Sequence, residues 1–172
     1  METPVNHRTA GFTLIELLVT LTVAAILLAV AVPSFQSMML SSRLSTSANA
    51  VANALSLARS EAVKRNQEVN VSNAAAVKSA DNSVTYAAAP TVPSGIQKVS
   101  GKALVATPGG FLRQATASAG FSGLVIDLYA ADLPSSQHRC VYLVTGITPV
   151  VCSVDDTGTG KCPNAQPNPC QQ

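Results

Sequence analysis

Four cysteines, at positions 140, 152, 162 and 170, form the densest group of reactive side chains in the 172-residue chain, and all lie in its last third. A zinc site needs closely spaced ligand pairs. No C-x₂-C pair occurs here, and the nearest histidine is His138. An even number of cysteines without metal spacing points instead to disulfides. Three pairings are open. The expected one joins Cys140 to Cys152 across a turn near Gly146 and Cys162 to Cys170 around the proline-rich tail. Nothing in these spacings calls for a metal or another cofactor.

Catalytic patterns fail one by one. Gly120-Phe121-Ser122-Gly123 is not a nucleophile elbow, because the second required glycine falls on Leu124. Gly158-Thr159-Gly160 lacks the rest of a phosphate loop and sits in the tail rather than between strand and helix. Asp155-Asp156-Thr157-Gly158 reads as a turn, since a calcium cage needs more oxygen ligands. His138 and Cys140 share a strand face, yet no Asp or Asn stands nearby in sequence to orient the ring. With two histidines in the chain, little is left for acid–base chemistry. No enzyme is expected.

The remaining chemistry is a single carboxylate in an oily place. Phe12 to Val32 reads FTLIELLVTLTVAAILLAVAV, and as a helix it covers about 30 Å, the depth of a bilayer's hydrocarbon core. Arg8 lies on its N-terminal flank, which favours a cytoplasmic start and an exported remainder. Ala29-Val30-Ala31 would suit a secretory cleavage site. Glu16 argues otherwise, because a carboxylate in hydrocarbon costs on the order of 2–3 kcal/mol and a disposable signal has no use for it. Cleavage after Gly11 gives Glu16 a partner. It would free an amine on Phe12, with a pKa of about 8, that can pair with a Glu16 carboxylate, preferably of a neighbouring chain.

Gly11-Phe12-Thr13-Leu14-Ile15-Glu16, followed by Leu17-Leu18-Val19, resembles the leader junction of type IV pilins and type II secretion pseudopilins. The resemblance implies that a prepilin peptidase cuts after Gly11 and N-methylates Phe12. It further implies that Glu16 guides docking into a growing filament. Pro33 matches a position where such helices bend, and a mid-helix proline removes one hydrogen bond in any case.

The helix must continue beyond the membrane. Leu44, Ala48, Val51, Leu55, Ala58 and Ala62 recur at steps of four and three, a single apolar stripe. Glu61 and Arg65 form an i,i+4 pair, and Asn66 after Lys64 and Arg65 suits a helix end. The run Ala54-Leu55-Ser56-Leu57-Ala58-Arg59-Ser60-Glu61-Ala62-Val63-Lys64-Arg65-Asn66 is similar to the FimT/GspH branch of the superfamily, as is the Val32-Pro33-Ser34-Phe35 junction. Arg59, Glu61, Lys64 and Arg65 read mainly as a solvated face with local ion pairs; the alternative is contact with the head or adjacent subunits.

Past Asn66 the period falls to two. Strands are expected at Val69–Ser72, Ser83–Ala87, Ile96–Ala106, Gly110–Ala115, Gly123–Tyr129, Cys140–Thr145 and Pro149–Val154, with Pro and Gly between them. The expected fold class is α+β: a long N-terminal helix, membrane-spanning in its first half, packed on a small antiparallel β head. The pilin-like form of that sum comes from the resemblance. The expected segments are a cleaved leader at 1–11, a membrane and filament-core helix at 12–33 and an amphipathic half at 34–66. A β-rich periplasmic head follows at 67–154, with a Cys/Pro-rich loop at 155–172.

Composition limits the partners. The chain is 47% hydrophobic and 12% charged with a net charge of +2, which excludes a disordered chain and a polybasic nucleic-acid binder. The resemblance implies a structural or priming minor pilin of a type IV pilus, or the corresponding pseudopilin of a type II secretion system. Its partners would be the peptidase, other pilins and the inner membrane. DNA is a third candidate partner, since some FimT-type pilins bind it through a Gly-Arg-x-Arg motif. The matching place here is Gly146-Ile147-Thr148-Pro149, without either arginine. Lys98, Lys102 and Arg113 are the candidates for a basic patch, though nothing in the sequence says that they converge.

Overall fold

In a computed structural model that describes residues 11–133, 137–155, 161–168 and 170, one helix is followed by nine strands. Helix α1 spans Leu14–Arg65. The strands are β1 (Val69–Val71), β2 (Val77–Ser79), β3 (Thr85–Ala87), β4 (Gln97–Gly101), β5 (Leu104–Ala106), β6 (Leu112–Arg113), β7 (Gly123–Tyr129), β8 (His138–Val144) and β9 (Thr148–Val154). The chain divides into two compact units, one through Gln36 and one from Ser37 onward. The fold is α+β and pilin-like: a long N-terminal apolar helix and antiparallel sheets.

The helix ends for local reasons. Asn66 adopts φ 51°, which a short polar side chain tolerates better than most. Its N–H donates to Val63 O at 3.3 Å and that of Gln67 to Ala62 O at 3.2 Å, the paired bonds that close a helix on a left-handed residue. From Ser37 onward the buried helical residues are Leu44, Ser47, Ala48, Val51, Ala54, Leu55, Ala58 and Ala62. Alanines at half of these positions keep the face thin, so the strands can approach the helix closely.

Two sheets cover this stripe. One runs β3-β2-β1-β5-β6 and the other β4-β7-β8-β9, with every pairing antiparallel. From the first sheet Val69, Val71, Val77, Leu104, Ala106 and Leu112 enter the common core; from the second, Val125, Ile126, Leu128, Val141 and Leu143 do so. A register shift between Leu124 and Ile126 places both Val125 and Ile126 inward, as a bulge permits.

The expected Ile96–Ala106 strand is two strands in different sheets, and β2 was not foreseen. The break follows Gly101. A Cβ there would lie 2.2 Å from the carbonyl oxygen of Asn73, so the β1–β2 turn rests directly on this glycine. Immediately afterwards Lys102 N–H donates to Val125 O, and the chain crosses to β5.

The expected disulfide pairing is incorrect. Cys140 bonds to Cys162, and Cys152 bonds to Cys170. Cys140 and Cys152 are indeed register partners on β8 and β9. Both side chains leave the sheet on the face that the tail crosses, and each meets a tail cysteine there. The Cα separations of 5.8 and 5.3 Å are ordinary for disulfides. With Leu124 and Tyr142 these sulfurs form a second apolar cluster outside the main core.

Candidate processing and assembly site

Gly11, Phe12 and Thr13 precede the helix and are non-helical and exposed. Thr13 stands at the cap position: its Oγ1 accepts the Glu16 N–H at 3.3 Å and its carbonyl accepts the Leu17 N–H at 3.2 Å. The Thr-x-x-Glu spacing is the sequence signature of such a cap, a signal that the reading of Glu16 alone passed over. Glu16 sits in the first turn, where a negative charge favours the helix dipole. Phe12 is 76% exposed, and a Cβ on Gly11 would meet nothing within 4 Å. The position expected to be cut is therefore uncovered among the described residues, whose packing does not demand glycine there.

The segment after it has no burial of its own. Every residue from Leu14 to Phe35 is exposed, and this helix is long and apolar enough to cross a membrane. The hydroxyls within it are satisfied locally, Thr20 on Leu17 O at 2.9 Å and Thr22 on Val19 O at 2.8 Å. That suits lipid, where a hydroxyl finds no water. Pro33 lies inside the helix, which continues on both sides of it.

Further along, the charged signature divides. Arg59 reaches away from its helix: Nε donates to Gly110 O at 2.7 Å and Nη1 to Ile147 O at 2.9 Å. It is a clamp between the helix and the head. Glu61 and Arg65 form the local pair at 2.6 Å, and this bond holds the Glu61 carboxyl below its usual range. The Arg65 guanidinium also lies 4.4 Å from the centre of the Tyr86 ring.

The basic residues considered for DNA serve other partners. Arg113 bonds Glu68 at 2.6 Å and also the carbonyls of Gln114, Ala115 and Ala117. Lys102 stands over the Phe121 ring and Lys98 on Asn73 O. The Gly146 turn is held from three sides, by Arg59 on Ile147 O, by Leu112 N–H on Gly146 O at 2.7 Å, and by close approach to Gly120. Asp156 to Gly160, including most of the acidic turn and the Gly-Thr-Gly run, lie outside the described residues, as do residues 1–10 of the leader.

One residue escaped the sequence reading altogether. Asp127, on β7, is fully buried and orients His138: its Oδ1 lies 2.7 Å from Nδ1, and its Oδ2 accepts the Cys162 N–H at 2.9 Å. Eleven residues and a strand change separate the pair, so no local spacing signals it. Asp127, Cys140 and Cys162 cluster as metal ligands would, but both sulfurs are spent in the disulfide.

Two family models match the sequence. The prokaryotic N-terminal methylation motif covers residues 6–32, and the type II transport protein GspH model covers residues 47–150. The chain belongs to the GspH family. Joined to a methylation motif, membership makes it a minor pilin or pseudopilin, a class of structural filament subunits. The methylation motif implies processing by a prepilin peptidase and assembly with other pilins or pseudopilins. Its apolar helix behind a leader motif is that of a membrane-anchored GspH-like subunit. No curated protein and no solved structure matches the chain.

Proposed function

We propose that this GspH-family chain is a minor pilin, a structural or priming subunit of a type IV pilus. A prepilin peptidase cuts after Gly11 and methylates the amine of Phe12. The head then stands on the periplasmic side of the inner membrane until Glu16 draws the subunit into the filament by pairing with such an amine on a neighbour. The reading rests on one observation: an uncovered Gly11–Phe12 junction stands directly before a capped helix with Glu16 in its first turn. Pro33 would then let the core helix bend within the filament. The Val32-Pro33-Ser34-Phe35 junction favours the pilus among the two machines.

The second reading is a pseudopilin of a type II secretion system, favoured by the family description itself. A DNA role has less support, because the residues it would use are engaged within the head.

Deleting the gene and restoring it with wild type or Glu16→Ala tests these readings. Loss of surface pili, restored by wild type and not by Glu16→Ala, is the expected result. Loss of exoprotein secretion with intact pili would replace the first reading with the second. Full restoration by Glu16→Ala would remove the docking role.

A further inference from the structure

Cys140 and Cys152 face each other across β8 and β9, yet the protein does not join them. Opposed residues in an antiparallel pair have Cα separations of about 4.5–5.5 Å, within disulfide range, so this local pairing is a real competitor. It also closes shorter loops. The native bonds span 22 and 18 residues, whereas the local pairs span 12 and 8. By the three-halves power of loop length, ring closure in the unfolded chain favours the local isomer roughly eightfold. The fold must therefore steer the tail.

We propose that Asp127 is the positioning residue that selects the native disulfides. His138 donates its Nδ1–H to Oδ1, which fixes the carboxylate, and the Tyr129 ring packs against the imidazole at 4.6 Å between centroids. Oδ2 is thereby left to accept the Cys162 N–H at 2.9 Å. Asp127 is also the register partner of Cys140 on the adjoining strand. One carboxylate thus holds the backbone of Cys162 beside the thiol it must join. Two further bonds seat the same stretch, Tyr142 O–H on Pro163 O at 2.8 Å and Leu124 N–H on Asn164 O at 3.2 Å. Once Cys140 is consumed, Cys152 is left with Cys170. Each bond forms as two thiols pass two electrons and two protons to a disulfide oxidant of the thiol–disulfide oxidoreductase class or to oxidised glutathione, which leaves as the dithiol or as two thiols.

The test refolds the full-length chain in detergent from the reduced state with oxidised and reduced glutathione. Trypsin cuts after Arg139 and Lys161, leaving Cys140 with Cys152 on one peptide and Cys162 with Cys170 on another. Native bonds link the two peptides in a mass spectrum without reductant; local bonds let them separate. A chymotryptic cut after Tyr142, followed by backbone fragmentation between Cys162 and Cys170 in the mass spectrometer, then assigns the linked form. Wild type refolds linked, but when oxidised in denaturant it gives mostly separated peptides. Asp127→Ala raises the separated share at least fivefold, while Asp127→Asn, which retains an acceptor for Cys162, stays within twofold of wild type. Leu104→Ala weakens the core in the other sheet and keeps the linked form. Native linkage in Asp127→Ala, native linkage of wild type in denaturant, or equal mispairing in Leu104→Ala would each overturn the assignment.

Discussion

Arg59 donates its Nη1 hydrogen bond to the carbonyl oxygen of Ile147, 88 residues further along the chain, at 2.9 Å. The same guanidinium donates through Nε to Gly110 O, so one helical side chain ties both the β5–β6 loop and the β8–β9 turn. An arginine in a family signature thus has a mechanical explanation.

Arg59→Ala loses both bonds and leaves two carbonyls to find water. At about 0.5–1.5 kcal/mol for each bond, the head should lose roughly 1–3 kcal/mol of stability in a denaturant melt. Arg59→Lys reaches a single acceptor and recovers at most half. A melt unchanged by Arg59→Ala would return this residue to the solvated face.

Gly101→Ala should cost more than its size suggests. Its new Cβ meets the Asn73 carbonyl oxygen at 2.2 Å, and neither backbone can yield without moving β4 or the β1–β2 turn. A loss on the order of 2–4 kcal/mol is expected, as for other overpacked sites. Gly95→Ala is a weaker control, since its Cβ meets only the flexible end of Leu40, at 3.2 Å, though its φ of +87° adds strain.

Much of this frame was legible in the sequence. The apolar stripe from Leu44 to Ala62 and the stop at Asn66 follow from local periodicity and one tolerant residue, and the structure has both. The long strands β7, β8 and β9 also stood out as short apolar runs bounded by turn residues, with ends within two residues of those observed. What failed was non-local. The split of Ile96–Ala106 depends on Asn73 reaching Gly101, and the disulfide pairing depends on where the tail crosses the sheet. Asp127 and His138 meet only once β7 and β8 are in register, so their partnership left no trace in spacing.

Tyr142 offers a test of the tail's seat by pH. Burial, and then the Asp127 charge, push its phenol up to about 12 from the usual 10. A folded pKa above the unfolded one means that its stabilisation is complete below pH 10. It is lost as pH rises from 10 to 12. Chemical melts across that window should show the fall in wild type and a much flatter line in Tyr142→Phe. Equal slopes in the two proteins would contradict the assignment.

Gly11→Val separates the demands of fold and peptidase. A Cβ at Gly11 meets nothing within 4 Å, so thermal unfolding of the head should be unchanged. Processing should nevertheless stop, leaving the full-length precursor in membrane fractions. Normal maturation of Gly11→Val would contradict the proposed cleavage site.

The most direct measurement is the amino terminus of the protein recovered from cell envelopes, read by mass spectrometry of its first peptide. The account requires a chain beginning at Phe12 with one added methyl group on its amine. A chain that keeps Met1, or one that begins near Val32 as after ordinary signal cleavage, would contradict it.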